Sequence, residues 1–483
     1  SRTMRMNLLL FSIGILLSGN LLSQWQADIR LTNDASSSYT SYNNADCIAA
    51  SGAFVHIVWR DDRNSVDQIY YKRSTDGGDS WGTDTRITFS SAACQYPSIA
   101  VSDAIVHIVW YDQRDGNNEI YYKRSNDNGD TWGSDVRLTN NSSYSAFPSI
   151  IVSGSIVHIV WFDNRDANDE IYYKRSTDGG NNWGADTRLS NGLGLSQFPC
   201  ISAFGSKLIV VWEDNRDGNS EIYFKSSNDS GLNWNADARL TNNLSISESP
   251  TVNISSNRIF VAWNDDRDGN TEIYYKISTN SGVNWQSDVR LTNNPSSSLH
   301  PAVESSGSII HMTWQDLRDG NYELYYNRSL NSGINWESDT RLTSYMGNSI
   351  LPSVALSGNS IQVLWHDLRD GNYEIYYKRN PTGNLTDIET LNSTLPTNYA
   401  LSQNYPNPFN PTTKFEFRIA DFGFVNLTIY DAMGRVIETL QNGELKPGVY
   451  EAEWNASGYP SGVYFYKLST GSFTETRKMI LIK

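Results

Sequence analysis

The sequence predicts an all-β protein: a seven-bladed β-propeller closed by an N-terminal strand and followed by a small immunoglobulin-like β-sandwich. Three observations lead to this fold class: a repeat of constant length, four strand-like segments in each copy, and a C-terminal segment unlike the repeats. The repeat carries a Trp-x-Asp-x-Arg motif every 51 residues, beginning at Trp59, Trp110, Trp161, Trp212, Trp263, Trp314 and Trp365. A fixed period near 50 residues indicates one supersecondary unit that has been copied and stacked.

Each copy has four short runs rich in β-branched and aromatic residues, separated by Gly, Asn, Asp and Ser. In the third copy the runs span residues 147–152, 156–162, 170–175 and 183–189. This pattern predicts a four-stranded antiparallel sheet, with strands A to D from the axis outward. Stacked sheets bury both faces, which explains the almost continuously apolar strand B. A proline fits the start of an innermost edge strand, and one occurs at Pro97, Pro148, Pro199, Pro250, Pro301 and Pro352.

The two ends of the repeat array predict how the ring closes. The seventh copy supplies strands A to C and diverges at Asn380-Pro381, whereas residues 25–32 match residues 81–88, which contain strand D of the first copy. We therefore expect the N-terminal strand to complete the last blade, which leaves no open sheet edge. The propeller is predicted to span residues 25–380.

Residues 1–24 are predicted to be a secretory signal peptide. A basic start precedes the apolar run from Leu8 to Leu17 and a polar exit, as in secretory signals. The run is shorter than the ~20 apolar residues of a membrane-spanning helix. No other segment of the chain is long and apolar enough, so no transmembrane segment is expected.

A linker is predicted at residues 381–398, rich in Pro, Thr, Asn and Ser, and a separate domain at residues 399–483. Alternating strand-like runs and Gly/Pro turns in this domain indicate a β-sandwich. Its motifs lie at residues 404–411, 427–431, 461–464 and 478–481. In this order they resemble the sorting domain of type IX secretion substrates. The resemblance implies the type IX machinery as a partner and export through the periplasm, so that the protein is secreted or attached to the outer surface.

The net charge of −15 lies entirely in the propeller segment. Nucleic-acid binding depends on neutralising phosphates with Lys and Arg, so the composition excludes nucleic acid and is compatible with cations or neutral ligands. The cysteines do not form a disulfide framework. Cys47 and Cys200 take the strand-A position of Ser98 and are expected to face each other across the axis, too far apart for a bond. Cys94 is expected in a connection without a partner.

Between strands C and D runs a motif Ser-x-Asp-x-Gly-x-(Ser/Thr/Asn)-Trp, as at residues 74–81. The Asp accepts backbone N–H groups inside the turn and the Gly supplies a positive φ. The motif resembles the Asp-box, or BNR repeat, of sialidases and related propellers, where it is structural and lies opposite the active face. Its third position is occupied by Asp76, Asp127, Asp178, Asp229, Asn280 and Asn331.

The hairpin between strands B and C, for example residues 163–170, contains spaced carboxylates with Asn, a pattern that suggests a calcium loop. Arg165, however, stands where a cation site needs an oxygen ligand. The sequence favours a structural hairpin whose Asp caps the turn and whose Arg forms an ion pair. No metal or other cofactor is therefore predicted, with calcium left as the alternative.

The resemblance to sialidases raises the question of hydrolysis. That family uses three arginines on a carboxylate, a Tyr with a Glu partner as nucleophile, and an Asp as acid/base, all placed asymmetrically. Here the candidate arginines form a sevenfold set, and no unique Tyr-Glu pair departs from the repeat. The arginines are Arg63, Arg114, Arg165, Arg216, Arg267, Arg318 and Arg369. Catalysis needs a few unlike groups at one place, so the repeat favours binding over catalysis, with a sialidase-like glycoside hydrolase as the alternative.

One position varies in every copy, between the Trp and the Asp of the motif. It is occupied by Arg60, Tyr111, Phe162, Glu213, Asn264, Gln315 and His366. B–C hairpins and D–A connections share one face of a propeller, so these residues are expected to form a rim. The functional hypothesis is ligand recognition by this rim, and the alternative is an exposed, unconstrained position. His56, His107, His158 and His311 share a strand position with apolar residues and are interpreted as core residues.

The sequence thus predicts a secreted or cell-surface binding module, with a glycan or another polymer as ligand. Two alternatives remain: a sialidase-like glycoside hydrolase and a structural or adhesive surface protein.

Overall fold

The computed structural model describes residues 25–42, 44–384, 388–392, 398–421, 423–445, 447–471 and 473–483. The predicted signal peptide lies outside the described residues. Within these ranges all the assigned secondary-structure elements are β-strands. These residues contain no helix long and apolar enough to cross a membrane. The protein is therefore all-β over the part of the chain that the structure describes, as the sequence predicts.

Residues 25–384 form seven antiparallel sheets, one for each Trp-x-Asp-x-Arg motif. We number the sheets in the order of their motifs. Strands A to D are Cys94–Ser102, Ile105–Asp112, Glu119–Ser125 and Val136–Arg137 in sheet 2, and Ser145–Ser153, Ile156–Asp163, Glu170–Ser176 and Thr187–Arg188 in sheet 3. They are Ser196–Phe204, Lys207–Asp214, Glu221–Ser227 and Ala238–Arg239 in sheet 4, and Ser247–Ser255, Arg258–Asp265, Glu272–Ser278 and Val289–Arg290 in sheet 5. In sheet 6 they are Ser298–Ser306, Ile309–Asp316, Glu323–Ser329 and Thr340–Arg341.

Sheets 1 and 7 differ from the others at strands A and D. In sheet 1 strand A is split into Ser38–Tyr39 and Ile48–Ser51, and strands B to D are Phe54–Asp61, Gln68–Ser74 and Thr85–Arg86. In sheet 7 the strands are Ser349–Ser357, Ser360–Asp367 and Glu374–Asn380, completed by Ile29–Arg30. Ile29 pairs with Tyr377 and Arg30 with Tyr376, so the N-terminal segment is strand D of sheet 7.

The seven sheets are arranged around a common axis. Strand A of each sheet packs against strand A of the next, and strand A of sheet 7 packs against Ile48–Ser51 of sheet 1. Sheets that pack face to face around an axis, with strand A innermost, form a β-propeller. Strand D is shorter than predicted: only two residues of 183–189 pair with strand C, at Arg188 and Thr187. Trp183 ends the turn between strands C and D, and Gly184 still donates its backbone N–H to the Arg175 carbonyl at 2.9 Å outside the assigned strand.

In each sheet the Trp and Arg side chains of the Trp-x-Asp-x-Arg motif donate hydrogen bonds to its Asp, and we call this group the motif network. In sheet 3 the buried Trp161 donates from Nε1 to Asp163 Oδ2 at 3.0 Å. Arg165 donates from its backbone N and from Nε to Asp163 Oδ1 at 3.0 and 2.8 Å, and pairs with Asp186 at 2.7 Å. Its guanidinium lies 4.3 Å from the centre of the Tyr172 ring. The hairpin between strands B and C is therefore the structural one: its Asp caps the turn by accepting a backbone N–H, and the same Asp forms an ion pair with the Arg.

The Asp-box turn ties each sheet to the one before it. Asp178 accepts the backbone N–H of Asn182 at 2.9 Å and the hydroxyl of Ser176 at 2.8 Å. Trp183 packs edge-on against Tyr122 of the preceding sheet, with ring centres 4.9 Å apart. In the box Gly180 has a φ of 84°. The box therefore contributes to packing between sheets.

The C-terminal residues form two four-stranded sheets. One sheet orders Ile388–Asn392, Gly448–Asn455, Thr412–Ile419 and Ala400–Leu401; the other orders Val436–Leu445, Gly423–Asp431, Gly462–Thr470 and Thr474–Leu481. Phe415, Phe417 and Trp454 of the first sheet share a buried core with Tyr466 and Leu468 of the second. Strand 388–392 lies inside the predicted linker 381–398 and pairs with strand 448–455. The strand is short and rich in polar residues, and its pairing partner lies about 60 residues further along the chain. The local sequence pattern therefore did not predict it.

We predict that Gly180→Ala lowers stability more than Gly154→Ala does. Both glycines have positive φ, but a Cβ on Gly180 would overlap the Tyr122 hydroxyl, whereas one on Gly154 meets open space. The expected losses are ~1 kcal/mol for Gly154→Ala, from backbone strain, and about 2–4 kcal/mol for Gly180→Ala, from strain plus overpacking. Thermal unfolding of both variants measures the difference, and equal losses would contradict the close approach of Tyr122.

Candidate functional site

The seven variable residues lie at the end of strand B, beside a β-bulge in strand A. In sheet 3 Phe162 pairs with Ala146, and the register shifts between Ala146 and Ser149. Phe147, inside the bulge, has a φ of 53°. The equivalent residues of sheets 2 to 7 all have positive φ, as does Asn44 of the loop that replaces the bulge in sheet 1. Together they form what we call the mouth ring: Asn44, Tyr96, Phe147, Phe198, Ser249, His300 and Leu351. The mouth is the end of the axis that this ring surrounds.

In sheets 4 to 6 the variable residue accepts a hydrogen bond from the mouth-ring residue of the next sheet. Glu213 Oε1 accepts the backbone N–H of Ser249 at 2.6 Å. Asn264 Oδ1 accepts that of His300 at 2.9 Å, and Gln315 Oε1 accepts that of Leu351, also at 2.9 Å. In sheet 7 His366 Nδ1 accepts the N–H of Thr40 at 3.2 Å. This half of the mouth is polar.

In sheets 1 to 3 aromatic packing replaces the hydrogen bond. The Arg60 guanidinium lies 4.3 Å from the Tyr39 ring centre and 5.8 Å from that of Tyr96. Tyr111 stacks on Tyr96 at 5.6 Å, and Phe162 stacks on Phe147 at 5.3 Å and packs edge-on against Phe198 at 5.8 Å. This half is an aromatic arc, made of Tyr96, Tyr111, Phe147, Phe162 and Phe198.

The variable position is mostly buried, which differs from the exposed rim expected from the sequence. Tyr111, Phe162, Asn264, Gln315 and His366 are at most 6% exposed. Arg60 and Glu213 are partly exposed. In sheets 1 to 6 the variable side chain contacts the mouth-ring residue of the next sheet, and in sheet 7 His366 contacts Thr40. The ring residues that are partly exposed are Asn44, Tyr96, Phe147, Phe198 and Leu351, with Arg60 and Glu213 beside them, whereas Ser249 and His300 are buried.

Sheet 1 breaks the symmetry of the mouth with an insertion. Where the other sheets have a two-residue bulge, sheet 1 has residues 40–46, which we call the axial loop; Asn43 lies outside the described residues. Thr40 Oγ1 lies 2.8 Å from His366 Nδ1. Asn44 Nδ2 donates to the carbonyl of Ser249 at 2.7 Å, which joins sheet 1 to sheet 5. The sequence contains the signal for this insertion, since Trp25 precedes Trp59 by 34 residues and Trp81 precedes Trp110 by 29.

Tyr42, in the axial loop, lies at the centre of the mouth and is 43% exposed. Its ring centre is 4.8 Å from that of His300 and 5.9 Å from that of Phe198. Burial raises the pKa of its phenol, and the nearby carboxylates of Glu248 and Glu213 raise it further. The axial loop thus places a tyrosine beside two glutamates, a one-off grouping that the repeat alone did not predict.

Burial raises the pKa of Glu213 to about 8, and repulsion from Glu248 adds to the effect, whereas the N–H of Ser249 opposes it. Burial also raises the pKa of Glu248, and the nearby amide of Asn264 opposes the rise. Neither glutamate has a cationic side chain among the described groups that shift its pKa. The two carboxyls therefore share a site without a counter-ion.

Two further carboxyls lie deeper along the axis. Burial raises the pKa of Asp46 to about 7 and that of Glu304 to about 8, the latter also through the charge of Asp46. Glu304 Oε2 accepts from Asn253 Nδ2 at 2.9 Å. The buried thiol of Cys200 has a pKa raised by burial and then by Asp46. The axis is thus lined by carboxyls from the mouth inward.

The three cysteines are free thiols. Cys94 is not in an unpartnered connection as expected: it begins strand A of sheet 2, and its Sγ donates to Asp112 Oδ2 at 3.0 Å. In sheet 3 the hydroxyl of Ser145 makes the equivalent bond to Asp163 at 2.8 Å. The Cys94 thiol therefore takes the place of a serine hydroxyl as a hydrogen-bond donor to the Asp of the motif network.

The repeated arginines and histidines do not reach the mouth. Arg216 pairs with Asp214 and Asp237 at 2.5 and 2.7 Å, and its equivalents pair in the same way. His158 is fully buried, its Nδ1 lies 2.7 Å from the Tyr173 hydroxyl, and burial lowers its pKa to about 3. Among the described residues no three His, Cys, Asp or Glu side chains are grouped to hold a metal ion.

Residues 403–483 match the family model of the secretion system C-terminal sorting domain. This segment therefore indicates export by type IX secretion to the cell surface or extracellular space, and interaction with that machinery. No curated protein is similar enough in sequence to count as a match.

Several solved structures are similar in overall shape. The phage phi92 endosialidase is 10% identical over 80% of this chain and 72% of that chain, with a TM-score of 0.47. The polysaccharide lyase Uly1 is 10% identical over 70% and 90%, with a TM-score of 0.49. The Trypanosoma rangeli sialidase in complex with the inhibitor DANA is 14% identical over 82% and 86%, with a TM-score of 0.42. None of these similarities bears on the ligand of this chain.

We predict that Glu213→Gln flattens the dependence of stability on pH. Because the folded-state pKa of Glu213 is raised to about 8, the folded protein retains a proton that the unfolded chain releases above pH ~4.5. Its stabilising contribution is complete below pH ~4.5 and is lost as the pH rises through about 8. The thermal midpoint of the wild type should therefore fall more between pH 5 and pH 8.5 than that of Glu213→Gln.

The control is Glu337→Gln, which removes a glutamate that is 44% exposed and paired with Arg328. Its stability curve should keep the shape of the wild-type curve. If Glu213→Gln also keeps that shape, the carboxyl is not protonated in the folded protein.

Proposed function

Taking the sorting domain at residues 403–483 as the premise, we propose that this chain is an exported binding protein that holds a glycan at the mouth of its propeller. In this proposal the seven sheets are the blades of a seven-bladed ring that is closed by the N-terminal strand, from residue 25 to residue 380. The C-terminal pair of sheets is an immunoglobulin-like sandwich that directs export. Residues 1–24 are the signal peptide.

The observation that carries the proposal is the two-sided chemistry of the mouth. On one side, Tyr96, Phe147 and Phe198 are partly exposed and offer aromatic faces, which pack against the apolar C–H face of a sugar ring. On the other side, Glu213 and Glu248 offer oxygen acceptors for hydroxyl groups. Binding sites of this type combine an apolar wall with a few polar groups that set orientation. Export to the cell surface supports a ligand that occurs outside the cell.

The second candidate is a glycoside hydrolase, and a specific observation favours it. The axial loop brings Tyr42 beside Glu213 and Glu248, which supplies the unlike groups that the repeat lacks. A carboxyl whose pKa is raised to about 8 holds its proton at neutral pH and has the protonation state of a general acid. Against hydrolysis of sialosides, the repeated arginines are engaged by Asp and Tyr side chains, as Arg267 is by Asp265, Asp288 and Tyr274.

We expect Tyr42→Ala to weaken glycan binding by the mature protein about tenfold or more. Tyr42 is the most exposed aromatic residue of the mouth, and the loss of one stacking ring costs about 1–2 kcal/mol, roughly tenfold or more in affinity. A glycan array followed by titration calorimetry measures the effect. Leu244→Ala, a fully exposed side chain of a D–A connection, should bind as the wild type does.

The buried residues Tyr111 and His366 give a second comparison. Tyr111→Ala removes a support of the aromatic arc and His366→Ala removes the acceptor for Thr40, so both should weaken binding. Indifference of binding to all three substitutions would exclude the mouth as the site.

Hydrolysis is tested with a panel of fluorogenic glycosides that includes a sialoside. Turnover by the wild type that Glu213→Gln or Tyr42→Phe reduces by ~10²-fold or more would replace the binding proposal with the hydrolase. Turnover that survives both substitutions would come from another protein in the preparation.

Deletion of residues 403–483 should leave the propeller in the periplasm. The sorting domain carries the export signal, and the propeller has its own closed core. Fractionation of cells and medium with an antibody against the propeller measures the distribution. The variant Gly154→Ala, which keeps the sorting domain, should be exported normally, and export of the truncated chain would contradict the role of the domain.

A further inference from the structure

Four carboxyls along the axis lack a cationic partner. In the hairpins and outer strands many acidic side chains are paired, such as Glu170 with Arg188 at 2.6 Å and Asp186 with Lys174 at 2.9 Å. Among the described residues Asp46, Glu213, Glu248 and Glu304 have no ion pair with Lys, Arg or His within 4.0 Å. Carboxyls withdrawn from water without a partner are costly in the ionised form and retain a proton instead. A bound cation would favour the ionised form and replace that proton.

We infer that the mouth binds a protonated amino sugar, as the end unit of a polymer of unacetylated hexosamine, and does not bind sialic acid. This inference rests on the proposed glycan-binding function and names the class of glycan. The ammonium group of the ligand lies against Glu213 and Glu248, and its sugar ring packs on Tyr42 and the aromatic arc.

Among the described residues, the mouth offers no unpaired cationic side chain to an anionic sugar. The cationic side chain beside the ring, Arg60, pairs with Asp67 at 3.1 Å and stacks on Tyr39. The two mouth histidines are neutral, because burial lowers the pKa of His300 to about 4 and that of His366 to about 3. A carboxylate placed there would meet Glu213 and Glu248 without a compensating charge.

Among the described residues, the buried side chain of His300 has no hydrogen-bond partner for its Nδ1. His300 is 7% exposed, and its ring lies 4.8 Å from that of Tyr42. An unsatisfied buried polar atom costs ~1–3 kcal/mol. A neutral imidazole nitrogen accepts from an N–H or O–H donor, and an amino sugar supplies both. This observation is independent of the carboxyls and points to a ligand rich in donors.

The aromatic arc favours a sugar over a lysine side chain. Tyr96 and Phe147 lie with ring centres 4.3 Å apart, and Phe147 and Phe198 are 5.0 Å apart. Together with Tyr42 they surround the mouth with apolar ring surfaces. A rigid pyranose loses little conformational entropy when it packs there, whereas a lysine must immobilise a flexible stem at a cost of ~0.5–1.5 kcal/mol.

Cation binding at this site is coupled to proton release. Burial raises the pKa of Glu213 to about 8, and the groups that face Glu213 are Glu248 and the N–H of Ser249. Glu248 in turn faces Asn264 and Asp266, and the phenol of Tyr42 faces both glutamates. A cation favours the ionised carboxyls, so the affinity for a ligand of constant charge should increase as the pH rises from 6 to 8.5.

The test is titration calorimetry on the exported protein. The probes are the hexamer of glucosamine, the hexamer of N-acetylglucosamine, a trimethylammonium form of the glucosamine hexamer, and sialyllactose. We expect the glucosamine and trimethylammonium hexamers to bind at least ~10-fold more tightly than the acetylated hexamer, which corresponds to about 1.4 kcal/mol of Coulombic attraction between the cation and the carboxyls. Sialyllactose should not bind, and the trimethylammonium hexamer should bind more tightly at pH 8.5 than at pH 6.

Two variants locate the effect. Glu213→Gln and Glu248→Gln should each weaken the trimethylammonium hexamer about tenfold, and Glu213→Gln should remove its pH dependence. Glu337→Gln, outside the mouth, should leave both unchanged. Near-ultraviolet circular dichroism confirms that each variant is folded, and a folded Glu213→Gln with undiminished affinity would overturn the inference.

The outcomes separate this inference from the function on which it rests. Binding of acetylated or sialylated glycans that Tyr42→Ala weakens, without preference for an amine, overturns the amino-sugar inference and leaves the proposed function standing. Absence of binding by every glycan overturns both. Tighter binding of an oligolysine peptide than of the glucosamine hexamer at the mouth also overturns the inference, because the ligand would then be a cationic peptide.

Discussion

The arrangement of the propeller depends on one buried carboxylate in each sheet, the Asp of the Trp-x-Asp-x-Arg motif. In sheet 3 Asp163 is fully buried and accepts from Trp161, Arg165 and Ser145. Burial alone would raise its pKa, but the hydrogen bonds from Arg165, Trp161 and Ser145 hold the pKa below its ordinary value. An ionised group withdrawn from water tolerates little displacement, because each lost bond leaves it unsatisfied. The hairpin is therefore held in the same place in all seven sheets.

This constraint positions the mouth. The residue just before the Asp is held at the end of strand B, next to the strand-A bulge, so it meets the mouth-ring residue of the next sheet. Where that neighbour is Ser249, His300 or Leu351, the contact is a backbone hydrogen bond. Where it is an aromatic residue such as Phe147 or Phe198, the contact is between rings, with Tyr111 6.0 Å from Phe147 and Phe162 5.8 Å from Phe198. A uniform frame thus carries a mouth with an aromatic side and a polar side.

The axial loop turns this sevenfold frame into an asymmetric site. Its bond from Asn44 to Ser249 crosses from the first sheet to the fifth, and Tyr42 lies between the aromatic residue Phe198 and the polar residue His300. A propeller without the insertion would present seven similar positions around the axis. With it, one tyrosine, one unsatisfied histidine and two glutamates without counter-ions face the same opening. Unlike groups at one place are the condition for selective recognition.

Periodicity in the sequence was sufficient to predict the all-β class, the four strands of a repeat and the pairing of residues 29–30 with the last sheet, because each depends on a local pattern. The sorting domain was identified by the resemblance of its motifs to a known family. Periodicity also identified the core role of His158, since its equivalents include apolar residues such as Ile209. It could not predict that Tyr111 and His366 are buried, because their burial depends on the next sheet, whose mouth-ring residue is 36 or more positions away in the chain. It also could not predict that Tyr42 lies near Glu213, because the two residues meet only when the ring closes and places sheet 1 opposite sheet 4. Contacts across the axis join residues more than 150 positions apart, and only the tertiary structure decides which of them meet.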